Sequence, residues 1–194
     1  MKALRQRNAE AGIAVHSNIA PRVYAGSDVH AKRIEQSRDY VTACLGGRKG
    51  CRIIELGCGT LDISGPFSDD NEVWGMDCNE SAAGVATMRW PKARLNLCSL
   101  QPESCDVLVL CEFLEHIPEP SILISNWLPL SKQVIISHPL NGDLKRDLSG
   151  GEHQWSFTDE DFNNWFVIGG HELVQEEVFP MGEYEIILGR GRRL

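Results

Sequence analysis

Apolar and polar positions change their period several times along the chain. Residues 51–56 (CRIIEL), 72–77 (EVWGMD), 105–110 (CDVLVL) and 132–139 (KQVIISHP) are short and mostly apolar, with 94–97 (RLNL) a shorter companion. None alternates cleanly in and out, which is the pattern of strands covered on both faces. Helical spacing occupies the gaps, at 79–90 and 119–130. A longer helix begins at Ser27 as N-cap and stops at Gly46-Gly47. Strands separated by helices predict an α/β fold with a doubly wound, mostly parallel sheet. The end of the chain breaks this rhythm. After a helix capped by Thr158 (158–170), residues 172–180 and 184–190 read as two strands joined by MGE, which predicts an antiparallel C-terminal strand.

Composition narrows the class without naming a chemistry. At 194 residues, with 42% hydrophobic and 24% charged, the chain suits one globular domain over 1–194. Within it, 1–47 reads as an N-terminal helical extension or lid and 48–194 as the core. No apolar run approaches the roughly 20 residues of a membrane span. MKALRQRNAEAG lacks the apolar stretch of a secretory signal. The seven cysteines (44, 51, 58, 78, 98, 105, 111) form no CxxC pair, so reduced buried thiols and a cytoplasmic location are expected. The formal charge of −8 gives no general pull toward nucleic acid, despite the basic tail GRGRRL.

Chemistry enters at IIELGCGTLDISG. A strand that ends in an acid and a glycine turn, then opens a helix, brings backbone N–H groups against a nucleotide. Gly57 and Gly59 permit the tight turn, and Asp77 follows 18 positions after Gly59, a spacing that suits ribose hydroxyls. ELGCGT, then GMD, then DVLVLCEFLEHIPEP resembles the class I S-adenosylmethionine-dependent methyltransferases over about residues 50 to 190. The resemblance implies a Rossmann-like fold and S-adenosyl-L-methionine as cofactor. It implies that Glu55, Gly57, Cys58 and Gly59 form the loop at the methionine end and that Asp77 holds the ribose. Cofactor contacts are expected also from Cys78, Cys111, backbone groups around Leu97 and Cys98, and Tyr24 of the N-terminal segment. Two positions depart from the family pattern. Leu61 stands where a third glycine is common, and NLCSL lacks the aspartate that many members place near adenine. A nicotinamide cofactor fits less well, because the loop is not GxGxxG.

Glu112, Glu115 and His116 follow the apolar run 105–110 directly. In a helix beginning after Leu110 they would share one face, at the carboxyl end of a strand where open α/β sheets bind ligands. Two carboxylates and an imidazole suit a divalent cation; without metal, His116 suits a general base. An acidic first helical turn is the plainer reading. The run H-x-W-x-F-T-x-x-x-F-x-x-W (153–165) resembles a segment of two methyltransferase groups, those of ubiquinone biosynthesis and of small-RNA 3′ ends. In both, ExxEH and a later histidine surround a divalent ion. The resemblance therefore implies a metal set of Glu112, Glu115, His116 and His153, for magnesium, manganese or zinc, with His116 and His153 catalytic. A plainer account leaves His153 on a surface loop. His138 can face the same pocket, whereas His16, His30 and His171 read as surface or packing residues. The expected function is methyl transfer to an oxygen of a small hydroxylated acceptor. RNA 3′-terminal 2′-O-methylation and a non-catalytic cofactor-binding subunit are the alternatives.

Overall fold

The computed structural model describes residues 28–97, 101–140, 153–181 and 184–194. Tyr24, Ser27 and Cys98 lie outside them, as does the segment 141–152. Seven strands form one sheet: β1 (Arg52–Leu56), β2 (Glu72–Asp77), β3 (Arg94–Leu97), β4 (Cys105–Cys111), β5 (Ser131–Leu140), β6 (His171–Met181) and β7 (Tyr184–Arg193). Their order is β3-β2-β1-β4-β5-β7-β6. The first five strands are parallel, and β7 inserts antiparallel between β5 and β6. Four helices, α1 (Asp28–Leu45), α2 (Glu80–Arg89), α3 (Pro120–Trp127) and α4 (Asp159–Ile168), complete the described layers. The expected doubly wound sheet and its antiparallel closing strand are both present.

The uninterrupted apolar runs are explained by two cores, one on each face. Ile54, Leu56, Leu108, Leu110, Val134 and Ile136 pack toward α3 and α4. The residues between them, Ile53, Val107, Val109 and Ile135, pack toward α1 through Tyr40, Val41 and Cys44. Alternate side chains of one strand thus serve opposite cores, so no polar face is left to produce alternation.

Strand order reverses between β1 and β4, and the crevice at their carboxyl ends is where open α/β sheets bind ligands. One expected element is absent. The β1–β2 crossover, 57–71, contains turns and a three-residue 3-10 helix, Gly65–Phe67, instead of an α-helix. Gly57, Gly59 and Leu61 all adopt positive φ, and Pro66 follows at the start of the short helix. Left-handed residues cannot propagate an α-helix, so none can start before residue 62.

Candidate active site at the strand tips

The glycine loop is fastened through its own backbone N–H groups. Gly57 and Cys58 N–H both donate to the Met76 carbonyl, at 2.8 and 3.0 Å, and Gly59 N–H donates to Asp77 Oδ2 at 2.7 Å. Gly57, at φ +71, could carry no side chain, since a Cβ there would lie 2.3 Å from Phe113 Cδ2. Phe113 therefore closes over the loop and joins it to the segment after β4. Cys58 turns its thiol back toward Gly75 of β2, and burial pushes that thiol well above its usual range.

Glu55 lies beneath the loop with 4% of its surface exposed. Its Oε2 accepts from the Ser64 backbone N–H and from Ser64 Oγ. Burial nevertheless pushes its carboxyl up to about 7. Asp77 stands at the rim, where Oδ1 accepts from Asn79 N–H at 2.8 Å while Oδ2 holds Gly59. Asn79 in turn caps α2, its side chain accepting from Ala82 N–H. Leu97 is paired with Asp77 in the sheet, and half-buried Cys78 follows Asp77 directly. Cys111 is buried at the end of β4, its thiol pushed up to about 12, with Ser37 Oγ of α1 at 3.9 Å.

That last contact locates a residue the sequence did not single out. Ser37 meets the carboxyl end of β4, whereas Arg48, just past the end of α1, lies 3.9 Å from Asp106 near the amino end of β4. α1 therefore runs antiparallel to β4, and Arg33, one turn before Ser37, stands at the strand tips. Arg33 is 4% exposed, and among the described residues neither its Nε nor its Nη1 has a hydrogen-bond partner. Its charge opposes the upward shifts of both Cys111 and Glu55. Burying a cation this way is costly without an anion to receive it.

The acid–histidine cluster differs from the expected helix face. Glu112 sits at φ +51, a strained conformation for a residue with a side chain, and only Leu114–His116 forms a 3-10 turn. Glu112 N–H donates to the Ser137 carbonyl, and Ser137 Oγ donates back to Glu112 Oε1, each at 2.9 Å. Three of the four expected metal ligands come together. Ligand atoms of Glu115, His116 and His153 lie within 4.8 Å of one another, while Glu112 stands outside the group. Glu115 is 1% exposed, with its Oε1 3.8 Å from His116 Nε2. The His116 and His153 rings meet edge to face, with centroids 4.8 Å apart. His138 does not join them. It is fully buried against Phe157, Phe162 and Trp165, with Nδ1 2.8 Å from the Pro139 carbonyl oxygen, and burial pushes its pKa down to about 4. His171 is a packing residue, its Nε2 3.1 Å from the Ser131 carbonyl oxygen.

The donor set can be tested for metal on its own chemistry. One carboxylate and two imidazoles suit zinc or manganese better than magnesium, which prefers oxygen. Ligands bound at about 2.1 Å can be at most about 4.2 Å apart. In tetrahedral geometry they stand about 3.4 Å apart, so a group within 4.8 Å would close by up to about 1.4 Å, which side-chain rotation can supply, and the residues fit.

Known proteins match this fold. No protein-family profile matches the chain. A ubiquinone biosynthesis O-methyltransferase of Alkalilimnicola ehrlichii is 32% identical over 94 residues, covering 43% of this chain and 38% of the relative. The chain therefore matches well under half the length of that curated relative. Magnesium protoporphyrin IX methyltransferase from Synechocystis superposes with a TM-score of 0.71 at 16% identity, covering 86% of this chain and 84% of that one. The N-methyltransferase NodS from Bradyrhizobium japonicum, solved with S-adenosyl-L-homocysteine, also gives 0.71, at 13% identity, covering 96% and 99%. The chain has the class I S-adenosylmethionine-dependent methyltransferase fold, and the resemblance carried by its motifs holds. Among the described residues no helix is long and apolar enough to cross a membrane, and the six described cysteines are free.

Proposed function

We propose that the chain is an S-adenosylmethionine-dependent methyltransferase that methylates a hydroxyl oxygen of a small acceptor. The observation that carries this reading is the Glu115–His116–His153 group at the carboxyl end of β4. Phe113, two residues before Glu115, packs on the cofactor loop, so this group flanks the place where a methyl donor would end. In the transfer, the acceptor oxygen forms a bond to the methyl carbon as the carbon–sulfur bond breaks. The electron pair leaves on sulfur, giving the thioether. The protein's tasks are alignment and removal of the hydroxyl proton. Glu115 and the two imidazoles are the groups placed to receive that proton. Glu115, His116 and His153 would also hold a divalent ion, which would supply Lewis acidity toward the acceptor hydroxyl.

A transfer assay with radiolabelled methyl donor tests the reading across catechols, other phenols, sugars and short RNA. Methylation of a small hydroxylated acceptor is expected, with loss on His116→Ala and His153→Ala. Loss of turnover in chelator, restored by zinc or manganese, would support the metal. Turnover that persists in chelator would leave the imidazoles as base alone. Exclusive use of RNA, or tight cofactor binding with no turnover on any acceptor, would overturn the proposal.

A further inference from the structure

Nothing in the order of residues explains why His153, on a different segment from His116, ends beside it. The described contacts of the segment that follows His153 supply a reason. A short 3-10 turn leaves its last carbonyls without partners inside the turn. Here three successive carbonyls, those of Glu115, His116 and Ile117, are all taken by Gln154 and Trp155. Glu115 O accepts from Gln154 N–H at 2.7 Å and from Trp155 N–H at 3.3 Å. His116 O accepts from Gln154 Nε2 at 2.7 Å, and Ile117 O accepts from Trp155 Nε1 at 2.8 Å. Gln154 is 2% exposed, so its amide works away from competing water. Two of the four bonds are side-chain bonds, and one of them ends on the carbonyl of His116 itself.

We propose that Gln154 is a positioning residue, whose carboxamide holds the His153 segment against the His116 turn so that both imidazoles and Glu115 act on one ion or one proton. It acts through the carbonyls of Glu115 and His116. The inference rests on the proposed role of the trio, and its test is chosen to be independent of methyl transfer.

The probe is Co2+ alone, because two imidazoles and a carboxylate held together chelate it whatever the enzyme uses, and its visible spectrum separates nitrogen and oxygen ligands from thiolates. Four proteins are compared: wild type, His153→Ala, Gln154→Met and the double variant. Methionine keeps the volume and the backbone bonds and removes only the amide. Wild type is expected to bind one Co2+ with nitrogen and oxygen ligation. Gln154→Met should weaken it about 10- to 100-fold, the usual range for residues that orient metal ligands. In the His153→Ala background the same change should cost nothing further, since no second imidazole remains to be positioned. Wild-type affinity in Gln154→Met would overturn the proposal, as would a loss that adds in full to that of His153→Ala. Absence of nitrogen and oxygen ligation in wild type would do the same, because the donors would then not be held together. Binding of S-adenosylhomocysteine is measured in parallel; its retention in all four proteins shows that the fold survives, and its absence from wild type would instead sink the methyltransferase reading.

Discussion

Arg33 is the residue whose surroundings ask most plainly for a ligand. Arg33 is 4% exposed, its Nε and Nη1 have no partner among the described residues, and it acts on the charge of Glu55, itself buried. Under the proposed methyl-donor reading they would complement an amino-acid zwitterion, the carboxylate toward Arg33 and the ammonium toward Glu55. Arg33→Met should therefore weaken S-adenosylhomocysteine binding by about 10- to 100-fold, the worth of a charged hydrogen bond. Binding of 5′-methylthioadenosine, which lacks the amino-acid end, should not change. Titration calorimetry with both ligands checks this, and equal losses for the two would refute it. Leu61 offers a second test. It is fully buried at φ +58, so its apolar contacts offset a left-handed backbone. Leu61→Ala should cost about 3 kcal/mol, from lost packing with the strain kept. Leu61→Gly should cost about 1 kcal/mol less despite removing one more carbon, because glycine accepts that φ freely. Urea denaturation of both variants measures the difference.

At the scale of elements, what the sequence could reveal followed from whether neighbours alone decided a structure. Strands β1, β4 and β5 were legible because burial on both faces leaves mostly apolar runs. Helix α4 was legible because Thr158 and Asp161 form a capping box, each side chain bonding the other's backbone N–H. Thr158→Ala should therefore destabilise the protein by about 1 kcal/mol, read as a shift in urea midpoint at constant slope. The turn after β4 was not legible in detail. Glu112, Glu115 and His116 have the spacing of a helix face, but the positive φ of Glu112 and its bonds to Ser137 of the adjacent strand break that face. Arg33 and Gln154 were invisible for a related reason. Each acquires its meaning from a segment distant in sequence, α1 over the tip of β4 and residue 154 under the turn at 116.

For the whole molecule, two buried groups with opposite signs shape the response to pH. His138 is held down to about 4 from 6.5, so the unfolded chain binds its proton more readily between those values. Its contribution is therefore present above pH 6.5 and is lost as pH falls toward 4. Glu55 is raised to about 7 from 4.5, so the folded chain holds the extra proton. Its contribution is best below pH 4.5 and declines as pH rises to 7. Each span is worth roughly 3 kcal/mol, at about 1.4 kcal/mol per pH unit. Between pH 4.5 and 6.5 the two slopes oppose one another. Relative to wild type, Glu55→Gln should gain stability as pH rises through this window, and His138→Asn should lose it. Denaturation midpoints across the pH range check both signs.

The missing crossover helix also bears on which nucleotides the crevice admits. A helix that starts behind a glycine loop offers phosphate a partial positive end and several free N–H groups. Here residues 57–71 supply a 3-10 turn of three residues, and the N–H groups of Gly57, Cys58 and Gly59 already donate to Met76 and Asp77. A pyrophosphate entering this crevice would lose its hydration and gain neither a dipole nor these donors. A sulfonium carries no phosphate, and its positive charge is spared a repelling helix end. The same short crossover that removes one element from the fold thereby leaves the crevice without the helix end and the free N–H groups that a pyrophosphate uses.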